Sequence, residues 1–235
     1  MHTVKLIMML VLLAGATGCA ALRPSADGAG DAVAGTVSES ATAGWWYARF
    51  SIARPDGEAP RWHIDSLLGG EVIAPMFDRN YKDIMIWRVH RRAGDDAHGH
   101  VFSFIFYSTA AAAQRIYTDL ENNPVLRKLR QDGTVTSAAY DDLATITRPH
   151  IEDTSDASWS PVVQESWPAF AMGASRMWLD MVGVIADGLA DEPDLEQRYR
   201  AVQQEVDAIW ASQGQHAMLH HLSAVFGYQP LLITY

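Results

Sequence analysis

Short runs in which apolar and polar residues alternate mark the middle of the chain. Two of them are DIMIWRVHRR and HVFSFIFYS, residues 83–92 and 100–108, and the loop AGDDAHG lies between them. Branched and aromatic residues favour strands, and Gly and Asp favour turns, so this stretch predicts an antiparallel hairpin. TVTSAAY, residues 134–140, has the same character and predicts a third strand.

Between the hairpin and the third strand the apolar residues have helical spacing. AAAAQRIYTDLEN, residues 110–122, follows a Ser-Thr pair that can cap a helix. PVLRKLRQD, residues 124–132, follows Asn123 as the cap, has Pro124 at its first position, and is stopped by Gly133. The order strand, strand, helix, strand is that of an α+β layer, in which a helix covers one face of a sheet.

Three more helices are predicted in the C-terminal half. WPAFAMGASRMWLDMVGVIADGL, residues 167–189, is apolar on nearly all sides, which predicts a buried helix. Residues 194–214 form an amphipathic pattern, residues 215–226 a third helix, and residues 227–235 an extended tail. The expected fold is therefore α+β, a small antiparallel sheet with covering helices followed by a mostly helical C-terminal half.

The first residues follow another pattern. One cation, Lys5, precedes an apolar run over residues 6–13, and small residues lead to Cys19. The run is shorter than the about 20 apolar residues of a membrane-spanning helix, and its layout is that of a secretory signal peptide. ATGC, residues 16–19, resembles the lipobox of bacterial lipoproteins, although leucine is the usual residue at its first position. The resemblance implies that Cys19 is acylated and becomes the mature N-terminus.

The alternative is an ordinary cleaved signal peptide in which the cysteine occurs by chance. Cys19 is the only cysteine in the sequence, so an intramolecular disulfide is excluded, and acylation explains a lone thiol in an exported protein. Ala20, rather than aspartate, follows it, which in such lipoproteins implies the outer membrane. The expected location is the periplasmic face of the bacterial outer membrane, with a lipid anchor.

These signals divide the chain into three parts. Residues 1–18 are the predicted signal peptide. Residues 19–44 are small and polar, which predicts a flexible tether with a reach of about 25–30 Å. Residues 45–235 are a single α+β domain, with a sheet-containing part at 45–150 and a helical part at 151–235, because no linker separates the two.

The chain is acidic, with a formal net charge of −10. Cleavage before Cys19 removes one charge, that of Lys5, so the mature chain carries −10 − 1 = −11. Such a body should not bind nucleic acid or an anionic bilayer without a local basic patch. The expected partners are therefore the membrane, through the anchor, and an envelope protein or a lipid-like ligand.

The predicted hairpin carries the densest chemistry. A turn centred on Asp96 would pair residues whose numbers sum to 192, so that His90 faces Phe102 and Arg88 faces Phe104. One face is then apolar, with Met85, Trp87, Val89, Val101, Ile105 and Tyr107. The other mixes aromatic and cationic residues, namely Ile86, Arg88, His90, Arg92, His100, Phe102, Phe104 and Phe106. A slip of one residue would regroup every pair.

The mixed face has two interpretations. In the structural one, helices cover the phenylalanines and the arginines pair with some of the 28 acidic residues. In the functional one, the face is a slot whose aromatic residues contact an apolar body and whose arginines bind an anionic head group. The functional interpretation names as ligand-binding residues Arg88, His90, Arg92, His100, Phe102 and Phe104.

The histidines suggest a metal site as the alternative. His98 and His100 would share one face of a strand and His90 would lie diagonally across, so the three could hold zinc in a metal-dependent periplasmic enzyme. His216 and His220 lie four residues apart on a helix, but without the His-Glu-x-x-His pattern.

Other catalytic motifs are missing or incomplete. Residues 173–177 half-resemble a nucleophile elbow but lack its second glycine. The sequence has no phosphate-cradling loop, dinucleotide fingerprint or cysteine pair, so no cofactor is expected. The leading hypothesis is a non-enzymatic outer-membrane lipoprotein that faces the periplasm and binds a partner protein or an amphipathic anionic molecule.

Overall fold

The computed structural model describes residues 42–55, 57–94 and 98–229. The predicted signal peptide, Cys19, almost all of the predicted tether, Asp96 and residues 230–235 of the predicted tail lie outside these ranges. The described residues belong to one compact unit.

A four-stranded antiparallel sheet forms the centre of this unit. Its strands are β1 (Ala43–Ile52), β2 (Ile86–Ala93), β3 (His100–Thr109) and β4 (Val135–Tyr140), in the order β2-β3-β1-β4. The predicted hairpin and the predicted third strand are β2, β3 and β4. β1 was not predicted as a strand, and it lies between β3 and β4. The α+β fold class is confirmed.

Seven α-helices accompany the sheet within the described residues. They are α1 (Trp62–Leu68), α2 (Ala74–Asn80), α3 (Ala110–Asn122), α4 (Pro124–Gln131), α5 (Pro161–Gly188), α6 (Leu195–Ile209) and α7 (Gln215–Val225). Residues 69–73 and 210–214 are π-helical, and residues 81–83 and 151–154 form 3-10 turns. The Asn123 side chain accepts hydrogen bonds from Val125 N and Leu126 N, and Gly133 follows α4 with a φ of +78°, as the sequence predicts.

One face of the sheet, which we call the inner face, is the core. The even-numbered residues of β1 and β3 and the odd-numbered residues of β2 project from it, and the helices cover it. Its three phenylalanines, Phe102, Phe104 and Phe106, are fully buried. A close approach of helices completes this core, because a Cβ atom at Gly70 would lie 2.1 Å from the Tyr199 hydroxyl oxygen.

The prediction of a helix that is buried on all sides was wrong for α5. Its buried residues form a single stripe that includes Leu179 and Val182, whereas Phe170 and Val184 are exposed. By length and hydropathy, α5 is the one helix of the described ranges that could cross a membrane, a test that a core helix also passes. Its buried stripe contributes to the core, and Ser175 Oγ accepts a hydrogen bond of 3.1 Å from Val89 N on the edge strand β2.

α5 also starts six residues before the prediction, because it continues through Pro168. A proline lacks the N–H that would donate to the carbonyl four residues earlier. Here that carbonyl belongs to Gln164, and the Ser155 hydroxyl donates to it at 2.7 Å. A side chain from the preceding segment thus replaces the hydrogen bond that the proline removes.

Candidate functional site

The register of the hairpin differs by one residue from the prediction. Arg88 pairs with Ile105 and His90 with Ser103, so that the paired numbers sum to 193. The observed register places Trp87 and Val89 on the same face as the three phenylalanines of β3. The physical reason is that this register gathers the large apolar side chains of both strands into one core, whereas the predicted one divides them between two faces.

The structure therefore does not bring the six predicted ligand-binding residues together. Phe102, Phe104 and His100 lie on the inner face and are at most 2% exposed. Arg88, His90 and Arg92 project from the opposite face, which we call the outer face. The phenylalanines are covered, so they do not form an open slot with the cations.

His100 belongs to a buried ionic cluster that the sequence did not reveal. The carboxylate of Asp65 on α1 has no exposed surface, and it lies 3.0 Å from both Arg91 Nε and His100 Nε2. Both partners project from the inner face of the hairpin. The cluster therefore joins α1 to the hairpin through charge-assisted hydrogen bonds.

Arg91 has further partners that satisfy its guanidinium group. It donates to the Trp62 carbonyl oxygen at 3.1 Å and to Gln203 Oε1 at 2.9 Å. It also lies about 5 Å from the ring centroids of Trp62 and Trp178, one from α1 and one from α5. Four elements meet at this cation, so the inner cluster has the geometry of a structural anchor.

The outer face has four rows of side chains across the sheet. The first row is Ile86, Tyr107 and Trp45; the second is Arg88, Ile105 and Tyr47; the third is His90, Ser103, Arg49 and Ala139; the fourth is Arg92, Val101, Ser51 and Ser137. The segment 148–151 covers the first row, since the Trp45 indole donates to the Ile151 carbonyl and the Tyr107 hydroxyl to the Pro149 carbonyl. The lower rows are more polar and carry the cations.

Arg49 and Arg148 have a carboxylate partner on the outer face, and Arg88 does not. Asp141 accepts hydrogen bonds from Arg49 and from Arg148, and both guanidinium groups lie 4.2 Å from the centroid of the Tyr47 ring. Arg88, in contrast, has no carboxylate within 4.0 Å among the described residues, and its partly buried side chain interacts with Tyr47. Its Nε is buried without a hydrogen-bond partner.

The environment of Arg88 and His90 is unfavourable to positive charge. Burial lowers the pKa of the Arg88 guanidinium, and the nearby Tyr47 side chain partly offsets this. Partial burial also lowers the pKa of His90, and the positive charges of Arg88 and Arg92 lower it further. The neutral form of His90 is therefore favoured, and an anion placed beside it would favour its protonation.

The three histidines of the alternative hypothesis do not converge. His90 and His100 project from opposite faces of the sheet, and His98 is exposed in the connecting turn. Within the described ranges, no three His, Cys, Asp or Glu side chains could hold a metal ion together. His216 and His220 stack at 5.1 Å on the exposed side of α7, and the part of the chain that the structure describes supplies no third ligand there.

Comparison of the chain with protein-family models, with curated proteins and with solved structures found no match. Function therefore has to be argued from the site itself.

Proposed function

We propose that the protein is a lipid-anchored protein of the bacterial outer membrane, faces the periplasm, and binds the anionic head group of a lipid-like molecule. The binding site is the polar part of the outer face, with Arg88 as the principal ligand and His90, Arg92 and Ser103 around it. The anchor is the acylated Cys19 that the lipobox implies.

The observation that carries the proposal is the state of Arg88. A cation that is partly removed from water loses hydration free energy, and proteins normally compensate it with a carboxylate. Arg49, Arg91 and Arg148 are compensated in this way, whereas Arg88 is not. A phosphate or carboxylate group would supply the missing acceptor, because a guanidinium donates two parallel hydrogen bonds to either group.

The same geometry limits what the site recognises. Phe102 and Phe104 are buried and cannot contact the apolar part of a ligand. Ile105 is 2% exposed, so the second row of the outer face offers little free apolar surface beside Arg88. The head group therefore supplies most of the affinity, and recognition depends on charge more than on chain length.

Thermal melts with matched amphiphiles test the proposal. Dodecyl phosphate and dodecanoate should raise the melting temperature of the parent, whereas dodecanol, which has no charge, should not. Arg88→Gln should weaken binding of dodecyl phosphate by about 1.5–3 kcal/mol, the value of a charge-assisted hydrogen bond. Arg115→Gln, which removes an exposed cation of α3, is the control and should bind like the parent. Equal shifts by dodecanol, or equal binding by Arg88→Gln, would refute the site.

The anchor is tested separately. A labelled fatty acid should be incorporated into the parent and not into the Cys19→Ser variant. Labelling of both chains would show that a residue other than Cys19 is acylated. Labelling of neither chain would refute the lipid anchor and favour an ordinary cleaved signal peptide.

A further inference from the structure

A second surface feature lies away from the outer face, at the start of α5 and the end of α7. It is a set of exposed apolar and aromatic side chains, which we call the terminal patch. Its members are Trp159, Val162, Phe170, Val225, Phe226 and Tyr228, and each is between 37% and 76% exposed. Contiguous apolar surface of this kind marks an interaction site.

Phe170 and Val225 connect the α5 part of the terminal patch to its α7 part. Trp159, Trp167 and Phe170 make successive ring contacts, with centroid distances of 5.2 and 5.5 Å. Phe170 on α5 and Val225 on α7 line the same apolar groove, whose volume is about 420 Å³. Ring contacts and the shared groove thus connect the first turns of α5 to the end of α7.

We propose that the terminal patch lies on the surface of a phospholipid bilayer and inserts its side chains at the boundary between head groups and acyl chains. Tryptophan and tyrosine side chains favour this depth, because one part of each is apolar and another is polar. Only the first turns of α5 reach the interface in this arrangement, and the buried stripe of the helix stays in the protein core. This goes beyond anion binding, although it rests on the lipid anchor of the proposed function.

The position at which the chain enters the domain favours a bilayer as the occupant. Trp45 N donates to the Arg148 carbonyl and Ser155 Oγ to the Gln164 carbonyl, so the segment between them connects the start of β1 to the first turns of α5. Residues 20–41, 22 in number, separate Cys19 from the described domain. The flexible tether that the sequence predicts there would reach about 25 Å, so an acylated Cys19 would keep this end of the domain close to the membrane.

Charge specifies which bilayer is favoured. The chain has a net charge of −10, and an anionic surface would repel it. The terminal patch should therefore bind vesicles of phosphatidylcholine more strongly than vesicles that also contain phosphatidylglycerol.

Vesicle co-sedimentation of residues 19–235 carrying Cys19→Ser, which lack both the acyl group and the apolar run of residues 6–13, tests the proposal. Combining Phe170→Ser with Phe226→Ser should lower the partition coefficient onto phosphatidylcholine vesicles about tenfold, since two exposed aromatic side chains lose their apolar contact. Val184→Ser is the matched control. It removes a 74% exposed apolar residue of the same helix, about 21 Å along the axis from Phe170, and should bind like the parent.

Each outcome is decisive. Loss of binding in the double variant, with binding retained in the Val184→Ser control, supports the proposal. Equal binding by all three chains, or no binding by the parent, overturns it. A parent that sediments as a dimer, and a double variant that sediments as a monomer, would assign the patch to a second copy of the chain and also overturn it. The double variant should bind dodecyl phosphate like the parent, so failure here and failure of the anion site are distinguishable.

Discussion

Arg88 and Arg91 lie three residues apart on β2, and their side chains project from opposite faces of the same sheet. Arg91 meets a buried carboxylate, a carbonyl, an amide and two indole rings. Arg88 meets the side chain of one tyrosine and has a buried Nε without a partner. Residue type is identical at both positions, so the difference in role comes from the strand face and from the carboxylate that the fold supplies there.

The role of a cation on a strand depends on whether the fold supplies its counter-ion. Where the fold provides the counter-ion, as Asp65 does, the cation holds elements together. Where the fold leaves a partly buried cation uncompensated, a ligand is the natural source of the missing acceptor. The two arginines therefore predict opposite responses to the same substitution.

The largest expected effect is on the stability of the inner cluster. Arg91→Gln removes the cation next to the fully buried Asp65 carboxylate and leaves only the hydrogen bond with His100, so it should lower the free energy of unfolding by about 3–5 kcal/mol. Urea denaturation of the variant and the parent measures this. A loss below about 1 kcal/mol would show that the cluster does not hold α1 on the hairpin.

A smaller effect is expected when the outer face receives an internal carboxylate. Ser103 is 7% exposed and pairs with His90, next to Arg88 in the adjacent row. Ser103→Asp would give Arg88 a carboxylate partner and should weaken the binding of dodecyl phosphate by about 1.5–3 kcal/mol. Ser103→Asn, of similar size and without charge, is the control. Equal binding of dodecyl phosphate by Ser103→Asp and the parent would show that the anion does not bind next to Ser103.

The smallest effect concerns pH. The pKa of His90 is lowered in the folded chain, so the unfolded state binds the proton first as the pH falls below the ordinary value of about 6.5. The parent should lose stability through this window, and His90→Gln should lose less. Relative to His90→Gln, the parent should gain anion affinity as the pH falls, because the ligand favours protonated His90. Melting temperatures between about pH 7.5 and pH 5 show both trends, and identical pH profiles of the two chains would exclude His90 from the site.

Local signals explain what could be predicted from the sequence. α3 and α4 have their caps and stops within a few residues of their ends, and both were predicted at nearly their observed bounds. The hairpin strands were also evident, because their residue types alternate over a short distance. Their register was not, since it is decided by the packing of Trp87 and Val89 with three phenylalanines rather than by the turn.

What escaped prediction depends on distant residues. Pro168 is tolerated inside α5 because the Ser155 hydroxyl donates to the Gln164 carbonyl, which the proline leaves without its helical donor. Ser155 lies 13 residues before Pro168, so the local sequence does not predict this hydrogen bond. Asp65 lies 26 residues before Arg91 and becomes its partner only when α1 packs on the sheet. The one available signal was the location of Asp65 in an apolar run, HIDSLL, where a buried acidic residue requires a partner. Within the candidate site, Arg88, His90 and Arg92 were predicted together, and the structure places them on one face.

We expect Arg88 to bind a ligand and to add nothing to the stability of the fold. Urea unfolding of Arg88→Gln without any ligand, beside the parent, distinguishes these roles. The free energy of unfolding should equal that of the parent within about 0.5 kcal/mol, or be higher, because the substitution removes an uncompensated, partly buried charge. A loss of about 2 kcal/mol or more would show that Arg88 is already satisfied inside the fold and has no need of a ligand.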